Sequence, residues 1–459
     1  MVPRVALYNV GRPCPWLKAP NFGLLYIAAY LQKDLGLDPS QILYLDQPAG
    51  DNVMEKLASA PWEILGVSAL SVTAHELNRI APGIRDRWPE RLVVLGGIHV
   101  STIPEVALAQ SGIPYGVVGD GECAFASIVR HVGESGSIPL DTPGLVWMKD
   151  GALSTSGAPA KSIPDLDALP KLPLHVLNKA FYFKDLIPIQ GTSVGALPWT
   201  TSRGCAFRCR FCAANVTCKE GMRYQSAERV LSDIEWLVAD FGIPAVSFQD
   251  DNLVDHRARL IEICEGILRR PRLRGFRWAC NARADRVDAD LLALMKKAGC
   301  VQVAFGFESG SQRVLHYLKK GAITVDDGRR AINACKKVGI RCMGTFIVGS
   351  PTETRNEILE TFAFIHKNPI DFVLVFTATP SPGSEFWDLA VERGIIDPHT
   401  IDWRTLIFDQ RPRLADAVDP EWLYRRFRWE YLRIALSNYS FPIFVWRTIR
   451  AAWQRLIVR

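Results

Sequence analysis

Hydrophobic and polar positions along the chain follow two alternating rhythms. Short apolar runs at residues 4–10 (RVALYNV), 41–46 (QILYLD), 63–70 (EILGVSAL), 91–97 (RLVVLGG) and 115–121 (YGVVGDG) read as buried parallel strands, several with Gly-rich ends. Between them, stretches such as residues 23–36 (GLLYIAAYLQKDLG) place apolar residues at helical spacing. This alternation predicts a doubly wound, Rossmann-like α/β domain over residues 1–135, with ligands at the C-terminal ends of its strands.

The rhythm breaks over residues 136–195, where Pro139, Pro143, Pro159, Pro164, Pro170, Pro173 and Pro188 punctuate an irregular sequence. That composition predicts a linker. From 196 the alternation resumes, with strands expected near 198–204, 245–251, 276–283, 301–310, 341–350 and 371–380. The helices between them carry start and stop signals. Ser226 precedes an amphipathic stretch with Val230, Ile234, Leu237, Val238 and Phe241 on one face. Thr324 and Asp327 form a capping box, and Gly339 suits a left-handed stop. Six strands with five crossovers predict a partial (β/α)6 barrel over 196–390. After 390 the sequence turns helical and rich in Trp and Arg, a helical C-terminal cap over 391–459 that could cover the active site or meet an anionic substrate.

Composition narrows the function. In 459 residues a net charge of +6, without a basic tract, is too little to argue for nucleic acid. The first residues do not form a signal peptide, and no run of 18 apolar residues spans a membrane. Eleven cysteines fit reduced thiols, some used for metal, and a cytoplasmic location better than a disulfide framework. At the C-terminus, residues 441–459 place Trp446, Ile449, Trp453, Leu456 and Ile457 opposite Arg447, Arg450, Arg455 and Arg459. A helix packed at the barrel mouth with a solvated basic face is the reading taken; peripheral contact with an anionic membrane is the second.

Cys205, Cys209 and Cys212 follow a predicted strand directly, spaced C-x3-C-x2-C. A structural zinc site is normally closed by four ligands, and no second C-x2-C pair exists. Three thiolates on a four-iron, four-sulfur cluster would leave one iron open to a substrate. Cys218 lies six residues on, where the chain turns towards the next helix, and is not expected to bind the cluster. Cys14, Cys123, Cys264, Cys280, Cys300, Cys335 and Cys342 read as buried or loop thiols.

The spacing and placement of this loop resemble the radical S-adenosylmethionine (SAM) superfamily, whose hallmark is C-x3-C-x-aromatic-C; Phe211 supplies the aromatic. The resemblance extends over roughly 196–390 and implies a 4Fe-4S cluster held by Cys205, Cys209 and Cys212, with SAM as the missing ligand. It implies that Asp250 or Asp251, in place of the family's Gly-Gly-Glu, holds the SAM amino group. Since side chains alternate along a strand, only one of the two should face the barrel mouth. Arg283 is implied for the SAM carboxylate, Glu308 for its polar groups and Gly349 for close backbone approach to adenine. Residues 379–383 (TPSPG) resemble the family's closing segment.

Residues 94–108 and 117–125 are similar to the cobalamin-binding domains of one large branch of that superfamily. Gly96, Gly97 and His99 match its Gly-Gly-x-His; after Gly119, Asp120-Gly121-Glu122 departs slightly from its Gly-Glu-Gly-Glu, with Cys123 read in place of the second acid; Ser68 and Ser71 stand where small hydroxyl residues meet the cobalamin tail. The Asp-x-His-x-x-Gly sequence of His-ligated cobalamin proteins is absent, and His99 reads as a loop or core histidine before a cobalt ligand. The resemblance implies a 5′-deoxyadenosyl radical acting on a small-molecule substrate, an external one-electron reductant of flavodoxin or ferredoxin type, and cobalamin-dependent methyl transfer. Its alternative is a non-methylating dehydration of a sugar-type 1,2-diol, epimerisation or cyclisation, with Asp251, Tyr224 and Glu308 as acid/base candidates. A cluster-based redox sensor needs no SAM pocket.

Overall fold

In the computed structural model the described residues are 3–12, 18–184, 186–190, 192–217, 221–321, 323–406 and 413–437. They build two seven-stranded sheets and one two-stranded ladder. The first contains β1 (Val5–Asn9), β2 (Ile42–Asp46), β3 (Ile64–Ser68), β4 (Leu92–Gly96) and β5 (Tyr115–Val117), followed by β6 (Leu145–Lys149) and β7 (Ala152–Thr155). Its order is β2-β1-β3-β4-β5-β6-β7, parallel as far as β5. The order reverses between β1 and β3, so a crevice opens at the C-terminal ends of those strands. β1 is buried along its whole length, which is why it reads as an unbroken apolar run.

The Pro-rich segment is not wholly irregular. β6 and β7 pair antiparallel with each other and extend the first sheet past 135. Asp150 and Gly151 join them with φ of 51° and 80°, the two-residue geometry that an Asp-Gly pair favours. Further on, β8 (Ile187–Pro188) pairs antiparallel with β9 (Gly195–Trp199). The linker expected over 136–195 therefore contributes edge strands to both sheets.

The second sheet holds the six parallel strands expected: β9, β12 (Ala245–Phe248), β13 (Arg277–Ala282), β14 (Cys300–Glu308), β15 (Arg341–Val348) and β16 (Phe372–Thr377), with β8 at the edge. A short antiparallel ladder, β10 (Ser202–Arg203) with β11 (Arg223–Tyr224), stands after β9. Ser226 caps helix Ala227–Phe241, whose inner face buries Val230, Ile234 and Leu237. Thr324 and Asp327 form the capping box, and Gly339 ends that helix in the left-handed region. The fold class, a Rossmann-like domain joined to a partial barrel with helices, stands as read from the pattern.

The C-terminal segment is helical where it is described, as expected. Among the described residues beyond 390, none lines the barrel mouth. Trp403 donates to Gln110 at 2.6 Å and seals the joint between the two sheets, while helix Pro420–Ser437 packs along the barrel flank against helix Arg355–Lys367. Residues 441–459 lie outside the described residues.

Gly310, just after β14, lets the backbone of helix Arg355–Lys367 approach closely. A Cβ there would stand 2.6 Å from the Glu360 carbonyl and 2.8 Å from the Thr361 Cα. Neither backbone atom can swing aside, so Gly310→Ala should lower stability by roughly 1–3 kcal/mol. The check is the urea midpoint, which should fall with little change in slope.

Candidate active site

β9 ends at Trp199, and its neighbour β12 ends at Phe248, the two paired in register. Two residues past each end, the chains meet again. The Asp250 carboxylate accepts from the Thr201 amide at 3.1 Å, from Thr201 Oγ1 at 2.8 Å and from Ser202 Oγ. Arg259 reinforces the joint, donating to the Thr201 carbonyl at 3.1 Å and to the Gln225 carbonyl at 2.6 Å. The β10–β11 ladder then closes the base of the loop that carries Cys205, Cys209 and Cys212. Asp250 is thereby a tether. Buried and fully engaged, it does not line the mouth, and the expectation that it contacts SAM is withdrawn.

All three thiols line a cavity of about 460 Å³ at the C-terminal ends of the barrel strands. Burial pushes each thiol pKa up, that of Cys212 to about 11, and neighbouring negative charge adds to the effect. Lys319 opposes it at Cys209 and Arg283 at both Cys205 and Cys209. Such thiolates need strong positive charge in the cavity. Among the described residues no three His, Cys, Asp or Glu side chains converge on one metal ion. A cubane takes each thiolate on a different iron, so its ligands need not meet at a point. The donor set, three thiolates and no fourth, fits that group. Cys14 and Cys218 lie outside the described residues. Cys264, Cys280, Cys300, Cys335 and Cys342 are buried and Cys123 half-buried.

The same cavity collects charges of both signs. Asp251 is exposed and lines it, while Asp250 beside it turns inward, both past the last residue of β12. Arg283 lies over the Phe207 ring at 3.7 Å and pairs with Asp285 at 3.0 Å, while its Nη1 is buried without a partner. That orphaned donor suits a carboxylate ligand. Glu308 has φ of 62°, costly for a residue with a Cβ, at an irregularity in the β14–β15 ladder. The strain turns its carboxylate into the cavity, where Lys319 meets it at 3.0 Å. Phe211 lines the wall, with the Lys319 ammonium 5.9 Å from its ring centre.

Two expected contacts lie elsewhere. Tyr224 packs edge-on against His256 at 5.3 Å and does not line the cavity. Gly349 has φ of 77° in a turn whose next amide, Ser350, donates to buried Glu353 at 2.9 Å; it too is absent from the lining. Sequence reading missed Lys319, which sits in an ordinary-looking Leu-Lys-Lys-Gly helix end. It also missed Asn281, which alternation from Arg283 along β13 would have found.

A second cavity, about 250 Å³, opens at the crevice of the first sheet. Ser68, Gly96, Gly97, Gly119 and Glu122 line it. A Cβ on Gly97 would lie 2.9 Å from both the Ala69 carbonyl and Ser68 Oγ, so the cradle accepts a bulky guest only because side chains are missing. Leu70, Val72 and Ile98, at the ends of β3 and β4, are nearly half exposed and offer apolar surface for a macrocycle. Small residues around a slot with an apolar rim fit cobalamin. Ser71 and His99 do not line this cavity. His99 is buried edge-on against Trp403 at 4.8 Å, its Nδ1 3.1 Å from Ser71 Oγ, and burial lowers its pKa to about 4. It is a neutral core histidine.

The two cavities share a wall. Pro198 and Cys205 face the first; Thr200 and Arg203 face the second. Arg203 meets Glu122 at 2.5 Å and Asp120 at 3.1 Å, and Arg223 meets Asp120 at 2.7 Å, so ion pairs from both strands of the β10–β11 ladder lock this wall to the first sheet.

Comparison with known proteins matches residues 199–365 to the radical SAM superfamily and residues 14–129 to the B12 binding domain. An uncharacterized methyltransferase of Pyrococcus horikoshii is 28% identical over 398 residues, covering 84% of this chain and 81% of the relative. The cytidylyl-2-hydroxyethylphosphonate methyltransferase of Streptomyces wedmorensis is 26% identical, covering 76% and 70%. The anaerobic magnesium-protoporphyrin IX monomethyl ester cyclase of Rubrivivax gelatinosus is 27% identical, covering 92% and 75%. Among solved structures, the methyltransferase TsrM of Kitasatospora setae, with cobalamin and a [4Fe-4S] cluster bound, superposes with a TM-score of 0.69 at 20% identity over 85% of this chain and 75% of its own. OxsB, with aqua-cobalamin and SAM bound, gives 0.73 at 19% over 93% and 67%.

The adjacent aspartates should separate cleanly. Asp250→Ala leaves two hydroxyls and the Thr201 amide without their acceptor and removes the negative charge near buried Arg259, and should cost about 3 kcal/mol or more in urea unfolding. Asp251→Ala should stay within about 0.5 kcal/mol of the parent.

Proposed function

The chain belongs to the radical SAM superfamily, in the branch with an N-terminal B12-binding domain, and from that premise we propose that it is a cobalamin-dependent methyltransferase acting on an unactivated carbon of a small-molecule substrate. The observation that carries this reading is the shared wall: residues 198–205 face a thiol-lined cavity with one side and a glycine-lined cavity with the other. Two cofactors seated there would act on one substrate without either leaving its site.

When bound, the cluster with SAM supplies a 5′-deoxyadenosyl radical and cobalamin supplies the methyl group. The chain's own part is to hold and shield. Cys205, Cys209 and Cys212 ligate the cluster. Asp251 accepts from the SAM ammonium by charge-assisted hydrogen bonds, and Arg283 Nη1 donates to its carboxylate. Glu308 and Lys319, paired at 3.0 Å, present one acceptor and one donor to the remaining polar groups. Phe207 and Phe211 keep water from the radical. Ser68, Gly96, Gly97 and Gly119 seat the cobalamin tail. Buried His99 stands edge-on to Trp403 and does not face this cavity. The electron comes from an external carrier of flavodoxin or ferredoxin type, and the enzyme works in the cytoplasm.

Ring closure is the second reading, favoured by the similarity to the Rubrivivax cyclase over 92% of this chain. The products of SAM distinguish the two. Methyl transfer should release S-adenosylhomocysteine and 5′-deoxyadenosine in equal amounts from protein that shows corrinoid bands after anaerobic reconstitution. 5′-Deoxyadenosine alone, from protein without those bands, would replace this reading with ring closure.

Cys205→Ala, Cys209→Ala and Cys212→Ala should each lose iron on reconstitution, whereas Cys123→Ala should keep it. Asp251→Asn should retain iron but bind SAM about tenfold to a hundredfold more weakly in equilibrium dialysis. SAM affinity equal to the parent would place the ammonium elsewhere.

A further inference from the structure

The thiol-lined cavity has a floor as well as a mouth. Ala279, Asn281 and Arg283 alternate along β13, and all three face the cavity. At about 3.3 Å per residue, Arg283 stands roughly 13 Å above Ala279. Strand pairing sets Gln302 of β14 level with Ala279, and Ala279 level with Ser247 of β12. Gln190, just past β8, meets Gln302 at this depth. The charged residues of the lining are Asp251, Arg283, Glu308 and Lys319, which the polar groups of SAM take up, and Lys18, which lies over the Phe181 ring at 5.1 Å.

Below the level of Arg283 the polar lining is made of amides: Gln190, Gln249, Asn281 and Gln302. Three of them have committed their NH2 to the chain itself. Asn281 Nδ2 donates to the Asp250 carbonyl at 3.3 Å, and Gln302 Nε2 donates to the Gln190 carbonyl. Gln249 Nε2 donates to the Ser247 carbonyl at 3.4 Å and to Ser247 Oγ at 2.9 Å. A carbonyl only accepts, so none of the three amides can turn round. Each is left with its oxygen, and among the described residues no donor reaches any of these oxygens. Gln190 Oε1 is buried without a partner as well. Gln302 is only 4% exposed, so its oxygen depends on whatever fills the cavity.

Ala196, Ala304 and Met343 make the rest of this level small or apolar. The polar preference of the floor is therefore set by amide oxygens. A phosphate or carboxylate seated there would meet them lone pair to lone pair. A group carrying N–H or O–H would satisfy them.

Resting on the reading of this cavity as the substrate chamber of a methyltransferase, we propose that its floor is the specificity pocket, and that the substrate group it takes presents hydrogen-bond donors, as an amide, a polyol or a ring N–H does, and is neither a phosphate nor a carboxylate. Asn281 and Gln302 are the residues that select it. The donor-bearing end sits below the charges that hold SAM, and the reacting carbon points up towards the thiols.

Anaerobic equilibrium dialysis of benzamide, benzoate and methyl benzoate against the reconstituted, SAM-loaded full chain tests this. The three share a ring and a carbonyl, and only benzamide brings N–H donors. It should bind about tenfold more tightly than the other two. Asn281→Leu and Gln302→Leu should each weaken benzamide about tenfold, with iron content at the parent value. Gln302→Met, of similar length, serves the same comparison if the leucine variant loses iron. Benzoate binding as tightly as benzamide, binding of none of the three, or variants that bind benzamide like the parent would overturn the proposal. Failure of the methyltransferase reading looks different. A chain that releases no S-adenosylhomocysteine yet keeps the preference for benzamide loses that reading and retains the donor-selective floor.

Discussion

Asp250 gives up all its contact with water, and what it receives in return is the lead-in to the cysteine loop. Several kcal/mol of desolvation are set against two donors from Thr201, one from Ser202 and the field of Arg259. Burial pushes the carboxyl pKa up; those partners pull it back. The balance holds in one geometry, with β9 and β12 in register and both chains turning two residues beyond their last pair. A loop of three thiols has little rigidity of its own. Its position relative to Arg283, Glu308 and Lys319, which arrive on later strands, is inherited from this grip.

Much of this was legible from the pattern of residues. Parallel strands buried on both faces read as apolar runs, and the helix signals at Ser226, Thr324, Asp327 and Gly339 work locally. They need no knowledge of what packs against them. Asp250 and Asp251 part ways in the turn beyond β12, which ends at Phe248, so strand alternation is not what separates them. Which of them turned inward depended on strand register and on donors two strands away in sequence, so the residue type could not decide it.

Other features are long-range and left no local trace. Glu308 sits at positive φ because the β14–β15 pairing slips, and nothing about a glutamate announces that. Lys319 is buried by what surrounds its helix end. The motif position of Ser71 pointed to the crevice, yet its hydroxyl meets His99, which Trp403, about three hundred residues away, holds in the core as a core histidine was read. One miss was avoidable: Asp150-Gly151 between two short alternating runs is a hairpin signal, and seven prolines in the same segment drew attention from it.

The wall between the two cavities is also a latch. Arg203 and Arg223 reach across to Asp120 and Glu122, and both arginines belong to the ladder that closes the cysteine loop. Whatever sits in the crevice therefore borders the same ladder that closes the cysteine loop, and a shift of that ladder moves a wall of both cavities at once.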